Sequence, residues 1–278
     1  MASPTRDEIL ALATTDTRLA LPLESLLPVL STSPFIPTRS LINIRDAGAV
    51  PGSALPTARV YRCGTLDIAA KDPDAVAWLS ANVTKVFDLR RGPERARAPD
   101  PVIPGIENVW FDTEGEYPAP ELPKFAVDDG KPAWATQMLS VALMYKPTIR
   151  AILEHVRDSP KDPFLFHCTA GRDRTGVVAG LLQALAGTAH DDIVYDYLLS
   201  RIGTEPARDK LLAFAMASVG IDDVETPGFL NLVSLRAEFW QAFLDALKKR
   251  FGGWDGYVTE GLGLSEEDLV KIKANLRE

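Results

Sequence analysis

The sequence predicts an α/β fold: a central mixed sheet flanked by helices, with a helical C-terminal half. Three observations lead there. Short apolar runs of strand length fall in the first two thirds of the chain, and the last of them is Phe164-Leu165-Phe166. Helix-period segments separate them, and after residue 175 only helix-like segments follow. Strands early, with helices between and after them, bury their apolar faces most simply as a sheet covered by helices.

Taken in order, Thr5 to Leu12 reads as a short helix capped by Ser3 or Thr5, with Pro4 near its start. Leu19 to Pro37 is rich in Leu and Pro and reads as irregular. Leu41 to Ile44 and Val60 to Arg62 read as strands, and Asp72 to Ser80 as a helix with Pro73 in its first turn. Thr84 to Leu89, Asn108 to Phe111 and Phe164 to His167 are the remaining predicted strands. Between the last two, Thr113 to Pro132 reads as an exposed loop and Ala133 to Tyr145 as a helix. Helices follow over Gly176 to Leu185, Asp191 to Ser200, Pro206 to Ala217, Phe229 to Phe251 and Glu266 to Asn275. Ser265 and Asp268 have the spacing of a capping box for the final one. The organisation expected is an N-terminal extension over 1–40 and a single domain over 41–278, with 112–147 as a lid insertion.

Composition excludes several classes. The chain has 278 residues, 46% hydrophobic and 24% charged, which suits a globular protein with a sizeable core. The formal net charge of −8 argues against nucleic acid or an anionic membrane as a bulk partner. Two cysteines make no disulfide framework and fit a reducing, cytoplasmic setting. The first residues carry acidic groups and no long apolar run, so no secretory signal and no integral membrane segment is expected. Three histidines without metal-like spacing argue against a metal site, and no cofactor is expected. His155 and His190 read as helix-surface residues, and Cys63 as a small buried one.

The chemistry concentrates in His167-Cys168-Thr169-Ala170-Gly171-Arg172-Asp173-Arg174-Thr175-Gly176. A strand ends into this segment and a helix leaves it, so unpaired backbone N–H groups face whatever the loop holds. Helix N-termini and nearby cations draw a cysteine from ~8.5 down to roughly 3.5–7.5, which makes Cys168 a nucleophile candidate. Arg174 supplies a planar fork for two phosphate oxygens. The amides of Thr169, Ala170, Gly171, Arg172, Asp173 and Arg174 form a nest for the rest. The Thr175 hydroxyl can stabilise the sulfur as a leaving group.

The loop resembles the phosphate-binding loop of the cysteine-dependent protein-tyrosine-phosphatase superfamily. More narrowly, it is similar to the tyrosine/serine phosphatase family whose loop reads H-C-x-A-G-K-D-R-T-G. Asn43-Ile44-Arg45-Asp46-Ala47-Gly48, Val60-Tyr61-Arg62-Cys63-Gly64-Thr65-Leu66, Val86-Phe87-Asp88-Leu89-Arg90 with Glu94, and Gly253-Trp254-Asp255-Gly256-Tyr257 with Gly261-Leu262 resemble further motifs of that family, in order. Arg172 stands where the family usually has Lys, and Cys63 where it usually has Ser. The resemblance implies a protein-tyrosine-phosphatase-like fold and metal-independent hydrolysis through a phospho-cysteine. It implies phosphotyrosine, phosphoserine, phosphothreonine or phosphoinositide substrates. A small-molecule phosphate or diphosphate of prenyl type is the alternative, since apolar residues of the insertion can hold a hydrophobic leaving group.

Two aspartates compete as proton donor: Asp173 inside the loop, and Asp112 just after the strand Asn108 to Phe111. Asp88 is read as holding the loop from behind, and His167 as a residue that orders it. Arg45 is the residue of choice for substrate contact by resemblance, while Arg62, Arg90 and Arg91 can add positive potential. Competing classes are a rhodanese-like sulfurtransferase or arsenate reductase and a silent phosphate-binding module. A thiol-cycling reductase needs more cysteines than Cys63 offers, and an intact Cys168 and Arg174 count against a silent module.

Overall fold

In the computed structural model, which describes residues 4–278, five strands form one sheet in the order β1-β2-β5-β3-β4. They are β1 (Arg45–Asp46), β2 (Val60–Cys63), β3 (Lys85–Asp88), β4 (Glu107–Trp110) and β5 (Phe164–His167). β1 runs antiparallel to β2, and every other pair is parallel. β5 lies between β2 and β3 with all four residues buried. Burial on both faces is why it reads as a continuous apolar run rather than an alternating one. In register, His167 pairs with Cys63 on one side and Asp88 on the other. The C-terminal ends of three strands therefore finish level, and the segments leaving them meet at one edge of the sheet.

Helices cover both faces. Before β5 they are α1 (Arg6–Ala13), α2 (Leu23–Leu30), α3 (Pro73–Asn82), α4 (Gly92–Arg97), α5 (Leu122–Phe125), α6 (Lys131–Met144) and α7 (Lys146–Asp158). After the sheet come α8 (Asp173–Ala186), α9 (His190–Gly203), α10 (Arg208–Val219), α11 (Phe229–Val233), α12 (Ala237–Phe251), α13 (Trp254–Gly256) and α14 (Glu266–Asn275). A smaller apolar cluster joins Leu79 of α3 to Tyr61, Val86 and Leu165 on one face. The larger core lies on the other face and joins α6, α7, α8, α9 and α12. α8 is buried nearly all round, as an apolar helix without a polar stripe must be. At Gly180 a Cβ would fall 2.3 Å from the Trp240 ring, so glycine is what lets α12 pack close. No helix is long and apolar enough to cross a membrane, among the described residues.

Thr5, one of the two caps expected, caps α1 and forms a capping box with Glu8; the alternative cap at Ser3 lies outside the described residues. Ser265 and Asp268 close the predicted box at α14. Several expectations are corrected. The segment Leu19 to Pro37 is not wholly irregular: Leu23–Leu30 is helical, with Leu26 and Val29 buried. Leu41 to Ile44 is not a strand. Asn43 takes φ 57° and donates its N–H to Gly203, so pairing starts only at Arg45. The single helix expected over Phe229 to Phe251 is broken at Ser234, whose extended backbone ends α11 before α12 begins. Within the loop expected at Thr113 to Pro132, Leu122 and Phe125 are buried in a helical turn. His155 is not a surface residue. It is buried against Phe87 and Phe164, with Nε2 at 3.1 Å from the Asp162 carbonyl. His190 is exposed, as expected.

Candidate active site

The loop from His167 to Arg172 carries the chain from β5 into α8, at the sheet edge where β2 and β3 also end. α8 starts at Asp173, three residues before the apolar run, so Asp173 and Arg174 ride on its first turn. Gly171 takes φ 65°, and a Cβ there would fall 2.3 Å from the Cys63 carbonyl oxygen. Only glycine allows the loop to lie this close to the end of β2. The backbone N–H groups of Thr169 through Arg174 donate to no group among the described residues. They sit at the positive end of the α8 dipole, an arrangement that receives an anion.

Cys168 is 3% exposed and lines a cavity of about 290 Å³. Thr169, Ala170, Arg172, Asp173 and Arg174 line it as well. Burial opposes ionisation of the Cys168 thiol. The Arg174 charge and hydrogen bonding from Thr175 outweigh it and draw the thiol below its usual range. The Thr175 hydroxyl is buried without a hydrogen-bond partner among the described residues.

Arg174 is held as a fork on Glu94, with Nη1–Oε2 and Nη2–Oε1 both 2.8 Å. Its Nη1 also donates to the Leu89 carbonyl at 3.0 Å. The Thr169 hydroxyl donates to Glu94 Oε1 at 2.6 Å, so one carboxylate ties the start of the loop to its end. Burial pushes the Glu94 carboxyl up, but the Arg174 bonds and charge more than reverse this and hold it well below the ordinary range. Sequence reasoning placed Glu94 in a motif without giving it a role. Its spacing from Asp88 was the available signal: β3 ends at Asp88, and α4 brings Glu94 back over the loop within six residues.

A buried ion network supports the loop from below. Asp196 of α9 accepts from Arg45 Nε at 2.6 Å and from Arg62 Nη1 at 2.7 Å. Arg62 passes the tie on, with Nη2 donating to the Gly171 carbonyl at 3.0 Å. Asn43 donates to the Gly171 carbonyl at 2.7 Å and to that of Ala170 at 3.2 Å. Arg45, expected at the substrate, does not line the cavity. It is fully buried, and its guanidinium is spent on Asp196, Ser200 and Asn43. Burial and the Arg62 charge draw Arg45 down to about 10, still charged at neutral pH. Neither Arg62 nor Arg90 opens on the cavity; Arg91 lines its mouth.

His167 is buried beside Cys168. Its Nε2 lies 3.0 Å from Asp100 Oδ2, and its Nδ1 3.3 Å from the Cys168 carbonyl. Burial lowers its pKa, but the Asp100 charge and hydrogen bond raise it overall. Asp88, Asp100 and His167 are close enough to suggest a cation site. The Arg90 guanidinium already fills that role, bonding Asp88 at 2.9 Å and Asp100 at 2.8 Å. Asp88 thus pairs with Arg90 and lies 3.8 Å from His167; Asp100 carries no signal in the sequence, because no spacing relates it to His167.

Asp173 and Arg172 face the cavity together, with Arg172 Nε 3.0 Å from Asp173 Oδ1. Arg172 also donates to the Val233 carbonyl at 2.7 Å and lies 5.7 Å from the Trp134 ring centre. The structure does not bring Asp112 to the site: it is exposed and outside the cavity wall. The insertion does reach it, through Tyr117, Trp134 and Gln137. Tyr117 packs edge-on against Tyr145, which itself lies under Arg174.

A sequence profile described as the tyrosine phosphatase family matches residues 36–278. A tyrosine-protein phosphatase of Nostoc commune is 28% identical over 240 residues, covering 83% of this chain and 76% of that protein. The triple specificity protein phosphatase PtpB of Mycobacterium tuberculosis is 28% identical over 123 residues, 41% of this chain and 44% of PtpB. That second match thus spans less than half of PtpB. With a cysteine and an arginine set at one anion-receiving loop and a family match over most of its length, the chain belongs to the tyrosine phosphatase family and is a cysteine-based phosphatase.

Proposed function

We propose that the chain hydrolyses phosphate monoesters through a phospho-cysteine intermediate, without a metal ion. The observation that carries this is the convergence of Cys168, Asp173 and Arg174 on one cavity. The Cys168 thiolate attacks phosphorus while the ester P–O bond breaks. Arg174 and the amides of Thr169 to Arg174 hold the phosphoryl oxygens. Asp173 gives its proton to the departing oxygen. Each of the three carboxyl groups that line the cavity is paired with an arginine, Glu94 with Arg174, Glu205 with Arg201 and Asp173 with Arg172; Asp173 is the one carried on the first turn of α8 beside Cys168, which supports it for proton transfer. Water then attacks the phospho-cysteine, Asp173 takes the proton of that water, and sulfur leaves as a thiolate stabilised by Thr175.

Phosphoproteins and phosphoinositides are the substrates in this reading, in line with the triple specificity in the name of PtpB. A second reading is favoured by the cavity wall beyond the loop, where Leu211, Leu212 and Phe214 meet Leu232 and Val233. That wall suits a small-molecule phosphate whose leaving group is apolar. Phenyl phosphate, assayed with a chelator present, tests the mechanism. The full chain is expected to release phosphate and be inhibited by vanadate, and Cys168→Ser to release none. Equal turnover by both proteins, or loss of activity to the chelator, would overturn it.

A further inference from the structure

We infer that the N-terminal arm over residues 14–21 is a wall of the substrate cleft that selects phosphate esters with an extended apolar leaving group. This rests on the proposed phosphatase reading. The arm precedes residue 36, where the family match begins. α1 anchors it, with Arg6 Nη1 2.6 Å from Asp192 Oδ1 and its guanidinium 4.3 Å from the Tyr195 ring centre.

Beyond that anchor the arm is fastened to the parts that carry α10. Arg208, the first residue of α10, donates through Nη2 to the Thr17 and Arg18 carbonyls, both at 2.9 Å. Arg201 Nη2 donates to the Leu19 carbonyl at 2.7 Å. The Leu21 N–H donates to Glu205 Oε1 at 2.6 Å, and Glu205 pairs with Arg201. Arg201 and Glu205 are buried, so these bonds are made away from competing water.

α10 needs such fastening. None of its twelve residues is buried, and Phe214 is 44% exposed. A helix in a folded protein draws most of its stability from packing an apolar face. Here that face, through Leu211, Leu212 and Phe214, looks into the cavity that begins at Cys168. Thr17 of the arm lines the same cavity, and its hydroxyl is 3.5 Å from that of Ser234 on the opposite side. The arm therefore sets where α10 stands and closes the cleft beside it. An apolar chain extending from a phosphate seated on the loop would cover the unburied face of α10, and a small ring would not reach it.

The test compares kcat/KM for octyl phosphate and phenyl phosphate in three full-length proteins: the native chain, Thr17→Trp and Arg208→Met. Thr17→Trp fills the arm side of the cleft, and Arg208→Met frees the arm from α10. Both variants are expected to lower the octyl-to-phenyl ratio by roughly 10-fold or more, the scale on which hydrophobic pockets discriminate chain length. Circular dichroism confirms that the variants fold, and Thr17→Trp, at a half-buried position, stands as the second variant if Arg208→Met does not. An unchanged ratio in a folded variant overturns the role of the arm while leaving the phosphatase reading intact. Failure of the native chain to hydrolyse either ester overturns both.

Discussion

At the scale of the residue, one guanidinium sets the reactivity of the sulfur. Cys168 is buried, which by itself favours the neutral thiol, and the adjacent Arg174 charge reverses that preference. Removing the charge in Arg174→Met is expected to raise the thiol pKa, because the opposite charge that favours the thiolate is gone. The pH dependence of iodoacetamide alkylation measures this: the midpoint moves to higher pH in the variant, and an unmoved midpoint would assign the ionisation to the helix end alone. Asp173 is checked through the leaving group. Asp173→Asn is expected to slow turnover of an alkyl phosphate by ~10²-fold or more. A nitrophenyl phosphate, whose oxygen leaves without help, loses much less. Equal losses on both esters would make Asp173 an organiser of the loop rather than its acid.

At the scale of the element, the loop after β5 is a strand-to-helix turn fixed by α9, the helix that follows α8. Asp196 pairs with both Arg45 and Arg62, and Arg62 fixes the Gly171 carbonyl. Asp196→Asn leaves two buried guanidinium groups facing each other, and is expected to cost about 3–5 kcal/mol of stability, as read by urea unfolding. A change under about 1 kcal/mol, the scale of an exposed pair, would show that water reaches the network. The elements themselves were largely legible. β2, β3, β4 and β5 each carry an apolar signature of strand length, and α8 announces itself by its run from Gly176. What local pattern could not show was the state of Arg45, since an arginine in a short motif reads alike whether it meets substrate or a buried aspartate 151 residues later. The same holds for Asp100, which long-range packing alone places against His167. Asn43 broke a predicted strand because a left-handed residue carries no hydropathy signal.

At the scale of the whole molecule, buried ionic groups couple stability to pH. His167 has its pKa raised above 6.5, so its contribution is fully present below pH 6.5 and is lost as pH rises through the folded value. Asp100 and Asp196 are lowered below 3.8, so theirs is present above pH 3.8 and lost as pH falls through the folded values. The melting temperature is therefore expected to decline on the alkaline side, and His167→Gln to flatten that decline. An identical alkaline slope in the variant would place the coupling elsewhere. Because Cys63, Asp88 and His167 end their strands level, the segments that leave them share one rim, and the cavity wall is completed by parts remote in sequence: the insertion after β4, α10 and the arm. Evolution can then trade one rim segment for another and change what is dephosphorylated without disturbing the thiolate, which is how a single scaffold diversifies into paralogues that differ in diet but not in chemistry.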